Sequence, residues 1–229
     1  MNQPLILLHG ALGAASQFDQ LVIKLSPYFD IHTFDFRGHG ADGYEGIITM
    51  ELFVNDIIDY LDEHGLKRCD IFGYSMGGYA AVIAAMEHPD RIRRIMTLGT
   101  KWHWDAETAA KELKMLDPDT ILEKVPAYAE MLRLRHAGQG WQALVHRTAG
   151  LISHLGYTGG PTEADFGRVH IPVCVCLGSE DRMVTKEESE YASGCMPGGV
   201  FKLLEGLPHP LEKVDISILA EEISCFFME

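Results

Sequence analysis

The sequence predicts an α/β protein, with a mostly parallel six-stranded sheet, helices on both faces and one helical insertion. Three observations lead there. Short apolar runs recur along the chain and stop at glycine or acidic turns. Helical patterns fill the intervals, and strands that alternate with helices pair in parallel through right-handed crossovers. The runs mostly lack polar alternation, as strands covered on both faces should. One interval breaks the rhythm: residues 101–161 have helical periodicity and no convincing strand. The chain therefore divides into a core, 1–100 and 162–229, and a helical segment, 101–161.

The elements follow in order. The first strand is Leu5–Leu8, ending in His9-Gly10. A helix is expected at Gln17–Leu25 and a strand at Ile31–Phe34, ending in Asp35. Met50–Glu63 is the clearest helix, with Leu52, Phe53, Asp56, Ile57, Tyr60 and Leu61 at helical spacing and Thr49 as its N-cap. A strand at Asp70–Phe72 enters Gly73, and the alanine-rich helix Met76–Met86 ends before Pro89. Ile95–Leu98 is the fourth strand. In the insertion, Asp105–Leu116, Pro118–Ala137 and Gly140–Leu155 read as helices, closed by a flexible joint over 156–161. Strands at Pro172–Leu177 and Val200–Leu204 and helices at Lys186–Ser193 and Ile216–Phe227 complete the core.

Composition excludes several classes. The chain has 229 residues, 47% hydrophobic and 23% charged, which suits a single soluble globular domain and not a disordered or collagen-like chain. A net charge of −14 disfavours nucleic acid and anionic membrane surfaces as partners. Five cysteines, Cys69, Cys174, Cys176, Cys195 and Cys225, form no disulfide framework, and the first three read as buried thiols. The N-terminal residues lack a basic leader and no run approaches about 18 apolar residues, so a cytoplasmic location is expected. No phosphate loop, H-E-x-x-H or dinucleotide fingerprint occurs. His146 and His154 share a helical stretch without a completing carboxylate or cysteine. No metal or cofactor is expected, and the partner is a small molecule bound by a monomer or homodimer.

The sharpest local signal is Gly73-Tyr74-Ser75-Met76-Gly77, a G-x-S-x-G run between a strand and a helix. That turn exposes a serine hydroxyl, and its flanks must be small where backbones pass closely. A serine is a poor nucleophile without a base. Of eleven histidines, His209 is best placed, in a short loop after the last strand. A histidine there faces the same sheet edge as Ser75. Its imidazole needs a carboxylate to hold the tautomer, and the loop after the fifth strand offers Glu180 and Asp181. An oxyanion needs backbone N–H donors: Met76 gives one, and Ala11 or, alternatively, Leu12 the other.

These pieces together resemble the α/β-hydrolase superfamily over nearly the whole chain: His9-Gly10, Asp35-Phe-Arg-Gly-His-Gly40, Gly73–Gly77, Gly178-Ser-Glu-Asp181 and Pro208-His209, in order. The resemblance implies a Ser75–Asp181–His209 triad, with Asp181 preferred over Glu180, a sheet without the usual N-terminal hairpin, and a lid formed by 101–161. The Gly73–Gly77 run and the His9–Gly13 loop are similar to the menaquinone-pathway lyase and small-esterase branch. Lyases of that branch carry an arginine where this chain has Tyr79, which disfavours a diketo-acid substrate. Serine at 75 sets the chain apart from the epoxide hydrolases and haloalkane dehalogenases, which use aspartate there.

The expected reaction is hydrolysis of a small to medium carboxylic ester through an acyl-enzyme. Carbon–carbon bond cleavage or perhydrolysis on the same scaffold, and a non-catalytic ligand sensor, are the other readings. An apolar pocket is expected from Leu12, Tyr79, Trp102, Trp104, Tyr128, Met131 and Met183. Arg133, Arg135, His136 and Arg147 are candidates to meet a substrate carboxylate, against plain solvation of a helix face.

Overall fold

The computed structural model describes residues 2–138 and 140–228. Six strands, β1 (Gln3–Leu8), β2 (Phe29–Thr33), β3 (Cys69–Tyr74), β4 (Ile92–Leu98), β5 (Val173–Glu180) and β6 (Gly199–Pro208), form one sheet in the order β2-β1-β3-β4-β5-β6. All five pairings are parallel. Among the described residues, ten helices surround it: α1 (Asp19–Leu25), α2 (Met50–Glu63), α3 (Met76–Glu87), α4 (Ala106–Leu113), α5 (Pro118–Lys124), α6 (Pro126–Arg135), α7 (Trp141–Thr158), α8 (Glu163–Phe166), α9 (Lys186–Cys195) and α10 (Ile216–Met228).

The central strands are covered on both sides because they are apolar on both sides, while β6 at the edge is largely exposed. Leu5, Ile6, Leu7 and Leu8 are all fully buried. Leu5 and Leu7 pack with Leu21 and Leu25 of α1 and Leu219 and Ile223 of α10. Ile6 and Leu8 pack with Phe53 and Ile57 of α2 and Ala80 and Ala84 of α3. Side-chain alternation along each strand thus divides one run between two cores. Cys174 and Cys176 fall on the α1/α10 face with their sulfurs 3.5 Å apart, and they, with Cys69, are buried free thiols.

The expected helix over Pro118–Ala137 is two helices. Pro126 has no N–H to give, and its ring disfavours the helical conformation for the residue before it. Val125 accordingly sits at φ −139°, ψ 60°, and α6 starts afresh. The expected joint over 156–161 is helical in its first half, because α7 runs on to Thr158. Gly156 lies where α7 crosses α4, and a Cβ there would collide with the Ala109 side chain. Glycine at 156 therefore marks helix contact rather than a break. Strand ends also move: Phe34 lies past the end of β2, and β6 reaches Pro208, next to His209. No helix among the described residues is long and apolar enough to cross a membrane.

Candidate active site

β3 runs into α3 through one residue, Ser75, which adopts φ 52°, ψ −117°. That left-handed backbone is strained for a residue with a side chain. Neighbouring bonds hold it: the Ser75 N–H donates to the Leu98 carbonyl (2.8 Å), and its carbonyl accepts from the Gly78 N–H (3.0 Å) and the Thr100 hydroxyl (2.9 Å). The turn is also closely packed, since a Cβ at Gly77 would run into the Leu8 and His9 carbonyls. Met76 is the first residue of α3, so its N–H belongs to the helix end whose donors lack intrahelical partners.

His209 follows the end of β6. Its carbonyl accepts from the Tyr74 hydroxyl at 2.8 Å, which ties the histidine loop to the residue before Ser75. The His209 Nδ1 lies 2.7 Å from an Asp181 carboxylate oxygen. A carboxylate only accepts, so Nδ1 carries the proton and Nε2 is left as the acceptor. The other Asp181 oxygen accepts from the Met183 (2.7 Å) and Val184 (3.0 Å) N–H groups. Burial by itself would raise the Asp181 carboxyl. The bond and charge of His209 and those two backbone donors outweigh it and hold the group below its ordinary value. The Asp181 side chain is 1% exposed, whereas Glu180 is exposed.

The loop after β1 faces this pair. Gly13 N–H closes a turn onto the Gly10 carbonyl (3.0 Å), and Leu12 takes a left-handed φ of 56°. The Leu12 carbonyl is held by His136 Nε2 (3.0 Å) and the Arg135 guanidinium (3.1 Å). His136 Nδ1 accepts from the Gly40 N–H at 2.9 Å, so its ring is neutral, and burial lowers its pKa. Below the loop, His9 donates from Nδ1 to the Gly10 carbonyl (2.8 Å) and accepts at Nε2 from the Phe36 N–H (3.1 Å). Burial pushes His9 down to about 4, and His39, 5.0 Å away ring to ring, well below its ordinary value.

These loops open on a cavity of about 360 Å³. Ser75, Met76, His209, Ala11 and Leu12 all line it. Tyr79, Trp104, Tyr128 and Met183 of the expected pocket are there too. Trp102 and Met131 are placed elsewhere. Trp102 is buried behind Tyr79, stacked on it at 6.0 Å with its other neighbour Phe166, and Met131 turns its sulfur to Arg135. Of the basic residues considered, Arg135 reaches the wall, Arg133 pairs with Glu130 on the surface and His136 lies beneath Leu12.

Several wall residues escaped the sequence reading. Thr148, Leu151, Ile152 and Leu155 of α7 form one side. Their spacing of three and four was visible, but a helix stripe does not say whether it meets a core or a cavity. The wall also holds two ion pairs, Arg135–Glu212 (2.6 Å) and Lys101–Glu112 (3.4 Å). No cluster of three or more His, Cys, Asp or Glu among the described residues is arranged to hold a metal ion.

Comparison with known proteins adds context. A family profile described as alpha/beta hydrolase fold matches residues 3–149. A "Probable alcohol acetyltransferase" of Cyberlindnera fabianii is 29% identical over 101 residues, 43% of this chain and 27% of that protein. The match thus spans about a quarter of that relative's length. Among solved structures, the enol-lactonase of Burkholderia xenovorans LB400 aligns at a TM-score of 0.78 and 20% identity, over 100% of this chain and 92% of the other. A thermophilic esterase from Thermogutta terrifontis aligns at 0.79 and 19%, over 100% and 90%. At such identities the structures establish the shared fold alone.

Proposed function

The chain belongs to the α/β-hydrolase fold family, and on that premise we propose that it cleaves a small to medium carboxylic ester through an acyl-enzyme on Ser75. One observation carries the reading. Ser75 and His209 line the same cavity, and Asp181 binds the Nδ1 of the imidazole, leaving Nε2 free to accept.

In the proposed cycle, the Ser75 hydroxyl adds to the ester carbonyl carbon while His209 Nε2 takes its proton. Asp181 stabilises the imidazolium that results and keeps the ring oriented. The Met76 N–H and that of Ala11 or Leu12 receive the oxyanion, and each such donor is worth about 3–4 kcal/mol in the transition state. Collapse expels the alcohol, which takes the proton from His209 and leaves an acyl ester on Ser75. Water, deprotonated by the same imidazole, adds to that ester, and the carboxylic acid departs. Segment α4–α7 acts as the lid, with α7 and Trp104 and Tyr128 forming the acyl wall. The largely apolar lining supports burial of an acyl chain there.

Titration with a p-nitrophenyl organophosphonate tests the reading. Stoichiometric labelling of Ser75, absent in Ser75→Ala, together with turnover of p-nitrophenyl esters from acetate to octanoate, is the expected result. A folded protein that takes up no label and turns over no ester would remove it.

A further inference from the structure

The cavity is apolar, yet it carries two cations, and each is already matched. Arg135 donates to the Leu12 carbonyl and to Glu212, and Lys101 donates to the Met183 carbonyl (2.6 Å) and faces Glu112 at 3.4 Å. The Arg135 pair sits at the reacting end. Arg135 grips the loop expected to receive the oxyanion, and Glu212 stands three residues after His209. Gln17 binds the same Glu212 oxygen at 2.8 Å and is itself a wall residue. The Arg135 side chain is only 10% exposed, so little solvent screens it.

An unmatched guanidinium here would draw a carboxylate-bearing acyl chain toward the oxyanion loop. Glu212 forestalls that. Burial alone would raise its carboxyl, but Arg135, the local backbone and Gln17 hold it below the ordinary value, so it is ionised at neutral pH. A substrate carboxylate entering this corner must then displace Glu212, whose side chain is 41% exposed, from the more buried Arg135 or sit beside a like charge, and both are unfavourable.

We propose that Glu212 is a specificity-determining residue, which neutralises Arg135 and thereby restricts the cavity to uncharged acyl esters. The inference rests on the ester-hydrolase reading above and adds to it the class of acyl group accepted. It also names the change that would convert the pocket: Glu212→Gln keeps the shape and an acceptor for Gln17, and frees the guanidinium for an anion.

The test compares p-nitrophenyl butyrate with p-nitrophenyl hemisuccinate, esters of four-carbon acyl groups that differ by a terminal carboxylate. Wild type should favour the butyrate by about a hundredfold in kcat/KM. Glu212→Gln should move that ratio toward the hemisuccinate by about tenfold, mainly through KM, and the double variant Arg135→Gln/Glu212→Gln should undo the shift. A wild type that turns over both esters equally overturns the proposal without any variant. So does a Glu212→Gln enzyme that hydrolyses the butyrate with its ratio unmoved. Turnover of neither ester by wild type removes the ester reading and this inference with it, a result distinct from the other two.

Discussion

The edge of the sheet and the α4–α7 segment contribute to the same cavity by different means. At the edge, position is set by backbone. Ser75 is confined to a one-residue turn between two rigid elements, and His209 and Asp181 hang directly from the ends of β6 and β5. β3 is buried along its whole length and β5 from Val173 to Gly178, whereas β6 is a largely exposed edge strand. In α4–α7 the wall is made by side chains on helices that elsewhere leave Leu122 and Leu134 about half exposed or more. In the proposed mechanism, chemistry that depends on hydrogen-bond distances falls on the backbone-set part. On the same proposal, substrate shape, which tolerates changes of a methylene, falls to the part with fewer constraints.

Mutation at the two regions should separate them. The largest effect belongs to the edge: Ser75→Ala should cut kcat/KM for p-nitrophenyl esters by about 10⁴–10⁶-fold. Its circular dichroism should match wild type. Residual activity within tenfold would mean the turn does not supply the nucleophile. Asp181→Asn should follow at about 10⁴-fold in kcat with KM little altered, because an amide at the Nδ1 position favours the wrong tautomer. Equal loss in KM and kcat would instead mark a binding role.

A third test probes the rigidity of the edge through pH. His9 is buried neutral, with a pKa near 4 in place of the ordinary 6.5. Between those values the unfolded chain binds a proton there that the folded chain does not. Stability is therefore full above about pH 6.5, falls as pH drops through the window, and levels off below about 4. The displacement corresponds to about 3 kcal/mol, and the lowered His39 and His136 add in the same direction. Urea midpoints that stay constant from pH 7 to 4.5 would contradict neutral imidazoles under the Gly10–Leu12 loop.

The smallest effect lies in the wall. Leu155→Ala removes a 6%-exposed side chain that lines the cavity. The preference should shift toward longer acyl chains by about tenfold, with a stability loss of about 2–3 kcal/mol in thermal or urea unfolding. A chain-length profile identical to wild type would place the acyl group elsewhere.

Local chemistry was legible without coordinates. The apolar runs determined the sheet, since a strand buried on both faces has no room for polar alternation. Glycines at 73 and 77 around a serine determined the turn, because only small flanks allow backbones so close together. Helix α2 emerged with its bounds and its Thr49 cap intact, both being local properties. What depended on partners distant in sequence came only with the tertiary structure. Trp102 and Trp104, two residues apart, face a core and a cavity respectively, and no local pattern distinguishes them. The break at Val125 was local, imposed by the neighbouring Pro126, and the helical periodicity of 118–137 hid it. The meeting of Arg135 with Glu212 across 77 positions was decided by packing. Such contacts join segments whose sequences carry no record of one another, and only the folded sheet brings them within bonding distance.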